Sequence, residues 1–199
     1  MNDREFVRGE VARNQDLGAD CWLLELALPE SFPSDTVQPG QFVMLRGPWG
    51  QHPMLPRAFS ILDAAPGQLE CLNKVVGRGT RRLASLQPGE AVTVLGPLGL
   101  AFPEPREGVT QVLVGGGSGI PPLILQAQHA RRANPDAAVE IIYGGRSVAD
   151  LVLLKRIEAL GVPARACTDD GSHGLHGRVT DALAPRLSEL DAAEVLACG

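Results

Sequence analysis

Aromatic side chains are scarce in this chain: five Phe, two Trp and one Tyr make 4% of 199 residues, so any ring in a plausible site carries extra weight. Basic clusters are missing too. A net charge of −5 with no run of Lys and Arg argues against nucleic acid and against an anionic membrane surface as partners. No apolar run reaches the roughly 18 residues of a membrane-spanning helix, and Met1-Asn2-Asp3-Arg4-Glu5 lacks the apolar core of a signal peptide. The four cysteines, Cys21, Cys71, Cys167 and Cys198, stand far apart with no C-x-x-C spacing. That spacing excludes a self-contained iron–sulfur or zinc site, so no metal ligand is assigned, and it suits free thiols in a reducing cytoplasm. What is present is the composition of a soluble globular protein, 44% hydrophobic and 21% charged. The 23 glycines and 16 prolines favour strands and tight turns over long helices.

The rhythm of the chain changes near Phe102-Pro103-Glu104-Pro105. Before it, six strand-like stretches follow one another with turn residues between: Phe6 to Ala12, Cys21 to Leu28, Gln41 to Arg46, Arg57 to Asp63, Leu69 to Val76 and Ala91 to Leu95. With one helical insert at Thr80 to Leu86, this predicts an antiparallel six-stranded β-barrel domain over 1–103. After it, strands at Val112 to Val114, Val139 to Tyr143, Ala164 to Thr168 and Val195 to Ala197 alternate with helices at Pro122 to Arg132, Val148 to Leu160 and Val179 to Leu190. That alternation predicts an α/β Rossmann-like parallel sheet over 104–199.

Arg57-Ala58-Phe59-Ser60 places a cation, a ring and a hydroxyl on one extended segment. Strand geometry sends Arg57 and Phe59 to one face and Ala58 and Ser60 to the other. A flavin dinucleotide needs such a set: a bidentate guanidinium for its pyrophosphate, flat packing for its rings and a short hydrogen-bond partner at its redox-active nitrogen. The plainer alternative is an edge strand with a surface Arg and a core Phe. Farther on, Leu72-Asn73-Lys74 leads into Gly77-Arg78-Gly79-Thr80, where a strand ends at glycines and a helix starts, an arrangement that turns backbone amides toward an anion.

The second half carries a ligand signal directly after its first strand, in Gly115-Gly116-Gly117-Ser118-Gly119-Ile120-Pro121-Pro122-Leu123. Glycines let the main chain approach a ligand, and proline in the first helical turn leaves other N–H groups free for a phosphate. The loop lacks both the third spaced glycine of G-x-G-x-x-G and the lysine of a P-loop. Tyr143-Gly144-Gly145-Arg146-Ser147 and Thr168-Asp169-Asp170-Gly171-Ser172-His173 lie at the carboxyl ends of later strands, where open α/β sheets bind ligands. His173 and His176 beside Asp169 and Asp170 lack a third His or Cys, so metal binding is not assigned.

In this order, R-x-F-S, G-x-G-T, G-P-L-G, G-G-G-x-G-x-x-P-L, Y-G-G-R-S and the terminal Cys198-Gly199 resemble the ferredoxin–NADP reductase superfamily. Thr168-Asp169-Asp170-Gly171-Ser172 and Gly177-Arg178-Val179-Thr180-Asp181 sharpen the resemblance, which is to electron-transfer subunits of bacterial NAD-dependent dihydroorotate dehydrogenases. It implies FAD on Arg57, Ala58, Phe59, Ser60, Leu72, Asn73, Lys74, Gly79 and Thr80, with Ser60 near the reactive edge of the flavin. It implies NAD on Gly115, Gly116, Gly117, Ser118, Gly119, Ile120 and Pro122, with Gly145, Arg146 and Asp170 contributing, and Cys198 close to the nicotinamide. It also implies a role in pyrimidine biosynthesis and a hetero-oligomer with a dihydroorotate dehydrogenase catalytic subunit. Alternatives are a related flavin or ferredoxin reductase subunit and a non-catalytic partner-binding module.

Three departures stand out. Ala58 occupies a position where the family often has proline, and Pro121 one where it has a small residue. The family continues into a segment whose four cysteines bind a [2Fe-2S] cluster, and that segment is absent here, which reads as a fragment of a longer chain.

Overall fold

Strand pairing in the first half closes on itself. The computed structural model describes residues 6–50 and 55–199, so the N-terminal pentapeptide lies outside the described residues. Strands β1 (Val7–Gly18), β2 (Cys21–Ala27), β3 (Phe42–Arg46), β4 (Arg57–Ala65), β5 (Gln68–Lys74) and β6 (Ala91–Leu98) form a closed barrel in the order β1-β2-β5-β4-β3-β6. Every pairing in it is antiparallel. Closure leaves no open edge in the ladder. Alternate residues point inward, so Leu24, Leu26, Val43, Leu45, Ile61, Leu69, Cys71, Val92 and Val94 are buried in the core. On β4 the register shifts between Ile61 and Asp63, and both Ile61 and Leu62 are buried.

One helix, α1 (Arg78–Ala84), packs against β5 and buries Leu83 and Ala84. It is held at both ends by side chains. Asn14 Nδ2 on β1 donates to the carbonyls of Leu83 (2.9 Å), Ala84 (3.2 Å) and Leu86 (3.0 Å) at and just past the helix end, where carbonyls run short of main-chain partners. At the other end, Thr80 Oγ1 accepts from the N–H groups of Val76 (2.9 Å) and Gly77 (3.1 Å).

The second compact unit is Phe102–Gly199 and the first Met1–Ala101. The division lies slightly before the predicted one because Pro103 is tied into the second unit. Its carbonyl accepts from Gln111 (3.0 Å) and Gln126 (3.1 Å), both buried, and Gln126 also donates to Gln111 (2.8 Å). Strands β7 (Thr110–Gly116), β8 (Val139–Gly145), β9 (Ala164–Thr168), β10 (Leu175–His176) and β11 (Ala193–Cys198) form a sheet in the order β10-β9-β8-β7-β11, parallel at every pairing.

Helices α2 (Pro121–Ala133) and α4 (Val179–Ser188) pack on this sheet. Val112, Val114, Ile142, Cys167 and Ala182 make one apolar cluster, completed by Val179, Leu183 and Leu190. The single helix predicted over Val148 to Leu160 is a correction: the structure has a 3-10 turn, Val148–Asp150, and a short α3, Leu154–Glu158. Leu151 leaves helical geometry at φ −86°, ψ 47°, and Leu151 and Leu153 are buried. Among the described residues no helix is long and apolar enough to cross a membrane.

Candidate functional site

On the barrel, strand alternation sorts the Arg57 to Ser60 segment. Ala58 and Ser60 are exposed, Arg57 is half-buried, and Phe59 is 7% exposed, facing inward opposite Val43 on β3. Barrel closure thus assigns the Phe59 side chain to the core. The Arg57 guanidinium donates to the Leu55 carbonyl and lies against Gly79 so closely that a Cβ there would collide with it. Glycine at this position lets a cation rest directly on the first turn of α1.

Three other predicted contacts are also sorted by burial. Asn73 has no exposed surface, and its amide donates to the Thr80 carbonyl (2.9 Å). That hydrogen bond ties the first turn of α1 to β5. Leu72 is buried, and the Lys74 ammonium donates to the Ala19 carbonyl. Gly79 and Thr80 are both buried within the first turn of α1.

On the sheet, the predicted residues gather at the carboxyl ends of β7, β8 and β9. Gly117–Gly119 form a 3-10 turn between β7 and α2, whose first two residues are Pro121 and Pro122. This loop packs on the last strand: a Cβ at Gly119 would sit 2.6 Å from the Cys198 carbonyl oxygen, and one at Gly116 would sit 3.6 Å from Gly199 Cα. Cys198 pairs in register with Gly115. Burial pushes its thiol above the usual range, so at neutral pH it is a thiol and not a thiolate.

The neighbouring loops are laced by hydrogen bonds. Asp169 and Asp170 donate main-chain N–H groups to the carbonyls of Gly145 (3.1 Å) and Arg146 (3.0 Å), and the Val148 N–H donates to Ser172 Oγ (2.8 Å). Hydrogen bonds from Ser172 hold the Asp170 carboxyl below the usual carboxylate range. The Arg146 side chain is 82% exposed and lies 3.4 Å from an Asp150 carboxylate oxygen.

Residues 8–102 match the oxidoreductase FAD-binding domain family, and residues 113–199 match the oxidoreductase NAD-binding domain family. The chain is 37% identical over 179 residues to the dihydroorotate dehydrogenase B (NAD(+)) electron transfer subunit of Bacillus caldolyticus, covering 88% of this chain and 68% of that one. The counterpart from Shouchella clausii is 35% identical, over 95% of this chain and 72% of its own length. The chain belongs to the family of dihydroorotate dehydrogenase B electron transfer subunits. Among solved structures, the Amycolatopsis cytochrome P450 reductase GcoB superposes with a TM-score of 0.82 at 25% identity, over 97% of this chain and 61% of that one.

The barrel is thus the FAD-binding domain and the parallel sheet the NAD-binding domain of a flavin oxidoreductase component. The residues present fit those groups. Gly79 leaves room for the Arg57 cation on the turn of α1, and Gly117, with φ +48° and nothing within 4 Å of where a Cβ would stand, leaves the main chain after β7 open to approach. Two supporting residues escape a motif reading. Thr168, fully buried, donates its hydroxyl to the His173 carbonyl (2.8 Å) and accepts from the His173 N–H (3.0 Å), which shapes the loop after β9. Tyr143, 1% exposed, places its hydroxyl 3.1 Å from the Gly117 carbonyl and 3.2 Å from the Asp150 carbonyl. Tyr143 lies inside the quoted Y-G-G-R-S loop, and its being the chain's one tyrosine was the available signal.

Proposed function

We propose that this chain passes electrons between NAD(H) and FAD and exchanges them with a catalytic subunit that oxidises dihydroorotate to orotate. The observation that carries this reading is the sequence identity of 37% over 88% of the chain to a dihydroorotate dehydrogenase B electron transfer subunit, together with both nucleotide-binding domains on one chain. On this reading Arg57 holds the FAD pyrophosphate and Ser60, exposed on β4, faces the reactive edge of the isoalloxazine. The main-chain N–H groups of 116–120 hold the NAD pyrophosphate, with Arg146 and Asp170 at the rim of that site. FAD held there would supply the exchange between two-electron chemistry at nicotinamide and one-electron chemistry at an acceptor.

The side chains contribute orientation and electrostatics. Arg57 supplies a fixed cation where charge accumulates, and the neutral Cys198 thiol places no negative charge beside a nicotinamide. All four cysteines are free, which supports a reducing cytoplasm as the working compartment. The partner reading is of a hetero-oligomer with the catalytic subunit. The test is anaerobic: protein reconstituted with FAD is mixed with NADH, then with a dihydroorotate dehydrogenase catalytic subunit and dihydroorotate plus NAD⁺. Flavin bleaching by NADH and NADH formation linked to orotate are expected; a flavin that NADH does not reduce overturns the proposal.

A further inference from the structure

We infer that the Tyr143 hydroxyl is the positioning group of the NAD(H) site: by holding the Gly117 carbonyl inward, it turns the Ser118 N–H outward to meet the dinucleotide pyrophosphate. The inference rests on the NAD(H) reading of the loop after β7. Its physical basis is peptide geometry. A trans peptide unit sends its C=O and its N–H in opposite directions, and among the described residues the one cis bond is Gly96-Pro97. Fixing the Gly117 carbonyl on the buried hydroxyl at 3.1 Å therefore fixes the direction of the next N–H.

The same hydroxyl lies 3.2 Å from the Asp150 carbonyl, at the end of the 3-10 turn after β8. Asp150 in turn receives the Ser147 N–H on its carboxylate (3.3 Å) and lies beside Arg146. A hydroxyl has one hydrogen, which it shares between these two carbonyls. One buried group thus sets the main-chain direction of the glycine loop and of the loop carrying Arg146. The phenyl ring alone would fill the same space at the core, so the hydroxyl is the feature that packing does not require.

The experiment uses the full chain loaded with FAD and the variant Tyr143→Phe. Steady-state reduction of ferricyanide by NADH is expected to show a KM for NADH raised about 5- to 30-fold, the loss of one hydrogen bond that orients binding groups, with kcat changed less than twofold. Bound FAD per chain stays at the parental level, and amide exchange speeds up over 117–120 and 148–151. A second measurement does not depend on the variant: in the parent protein, saturating NADH protects the Ser118 amide from exchange. An unchanged KM in Tyr143→Phe, a parallel loss of kcat and bound FAD, or no protection at Ser118 overturns the inference. A parent protein that NADH does not reduce overturns the function proposal as well, whereas a reducible parent with an indifferent variant removes this inference alone.

Discussion

On the proposed reading, the barrel and the parallel sheet present their ligand-directed groups in different ways. In the barrel those groups are side chains on a strand, Arg57 and Ser60, set against a short helix that Asn14, Asn73 and Thr80 hold from both ends. In the sheet they are main-chain N–H groups in a glycine loop, and their direction is set by hydrogen bonds from elsewhere, through Tyr143 and the packing of Cys198. A side-chain site fails when its own residue is replaced. A main-chain site fails when a supporting residue moves, so the two units should respond to mutation independently.

Arg57→Ala carries the largest expected effect. Losing a charge-assisted contact of about 1.5–3 kcal/mol should weaken FAD about 10- to 150-fold in a flavin titration, while NADH fluorescence binding stays unchanged. Equal loss of both nucleotides would break the comparison. Gly119→Ala is the mirror experiment. Its new methyl meets the Cys198 carbonyl, and the overpacking should cost about 1–3 kcal/mol, raising the Kd for NADH while leaving FAD titration at the parental value. The smallest effect concerns pH. Cys21, Cys71 and Cys167 are buried, so iodoacetamide should modify Cys198 first, as peptide mapping would show. Because burial raises its folded-state pKa, the rate should reach half-maximum above the roughly 8.5 of a free thiol; a midpoint at or below that value would refute a desolvated Cys198.

Much of the fold was legible in the linear pattern. Turn residues between short alternating stretches marked all six barrel strands, and the change of rhythm near residue 103 marked the parallel sheet. The positions of Arg57 at the start of β4 and of the glycine loop at the end of β7 followed from the same pattern. Less legible was the inside of each site. Alternation says that Arg57 and Phe59 share a face, but the closure of the barrel decides that Phe59 is buried and leaves Arg57 at the rim. The family resemblance places Asn73 at an FAD contact, but only three dimensions show that its amide donates to the Thr80 carbonyl.

The helix expected from Val148 onward illustrates the same limit. Its residues have adequate helical pattern, yet the Asp150 carbonyl is engaged by the Tyr143 hydroxyl and the chain turns out of helical geometry at Leu151. No local propensity encodes a partner seven residues back in a neighbouring strand.

By itself, the sequence determined the two architectures and the kinds of chemical group available to each, because periodicity and turn residues are local properties. Tertiary structure alone decided which of those groups face outward and which hold others in place. Those roles depend on strand closure and on hydrogen bonds between residues far apart in the chain, where burial leaves a polar group no alternative to its one partner.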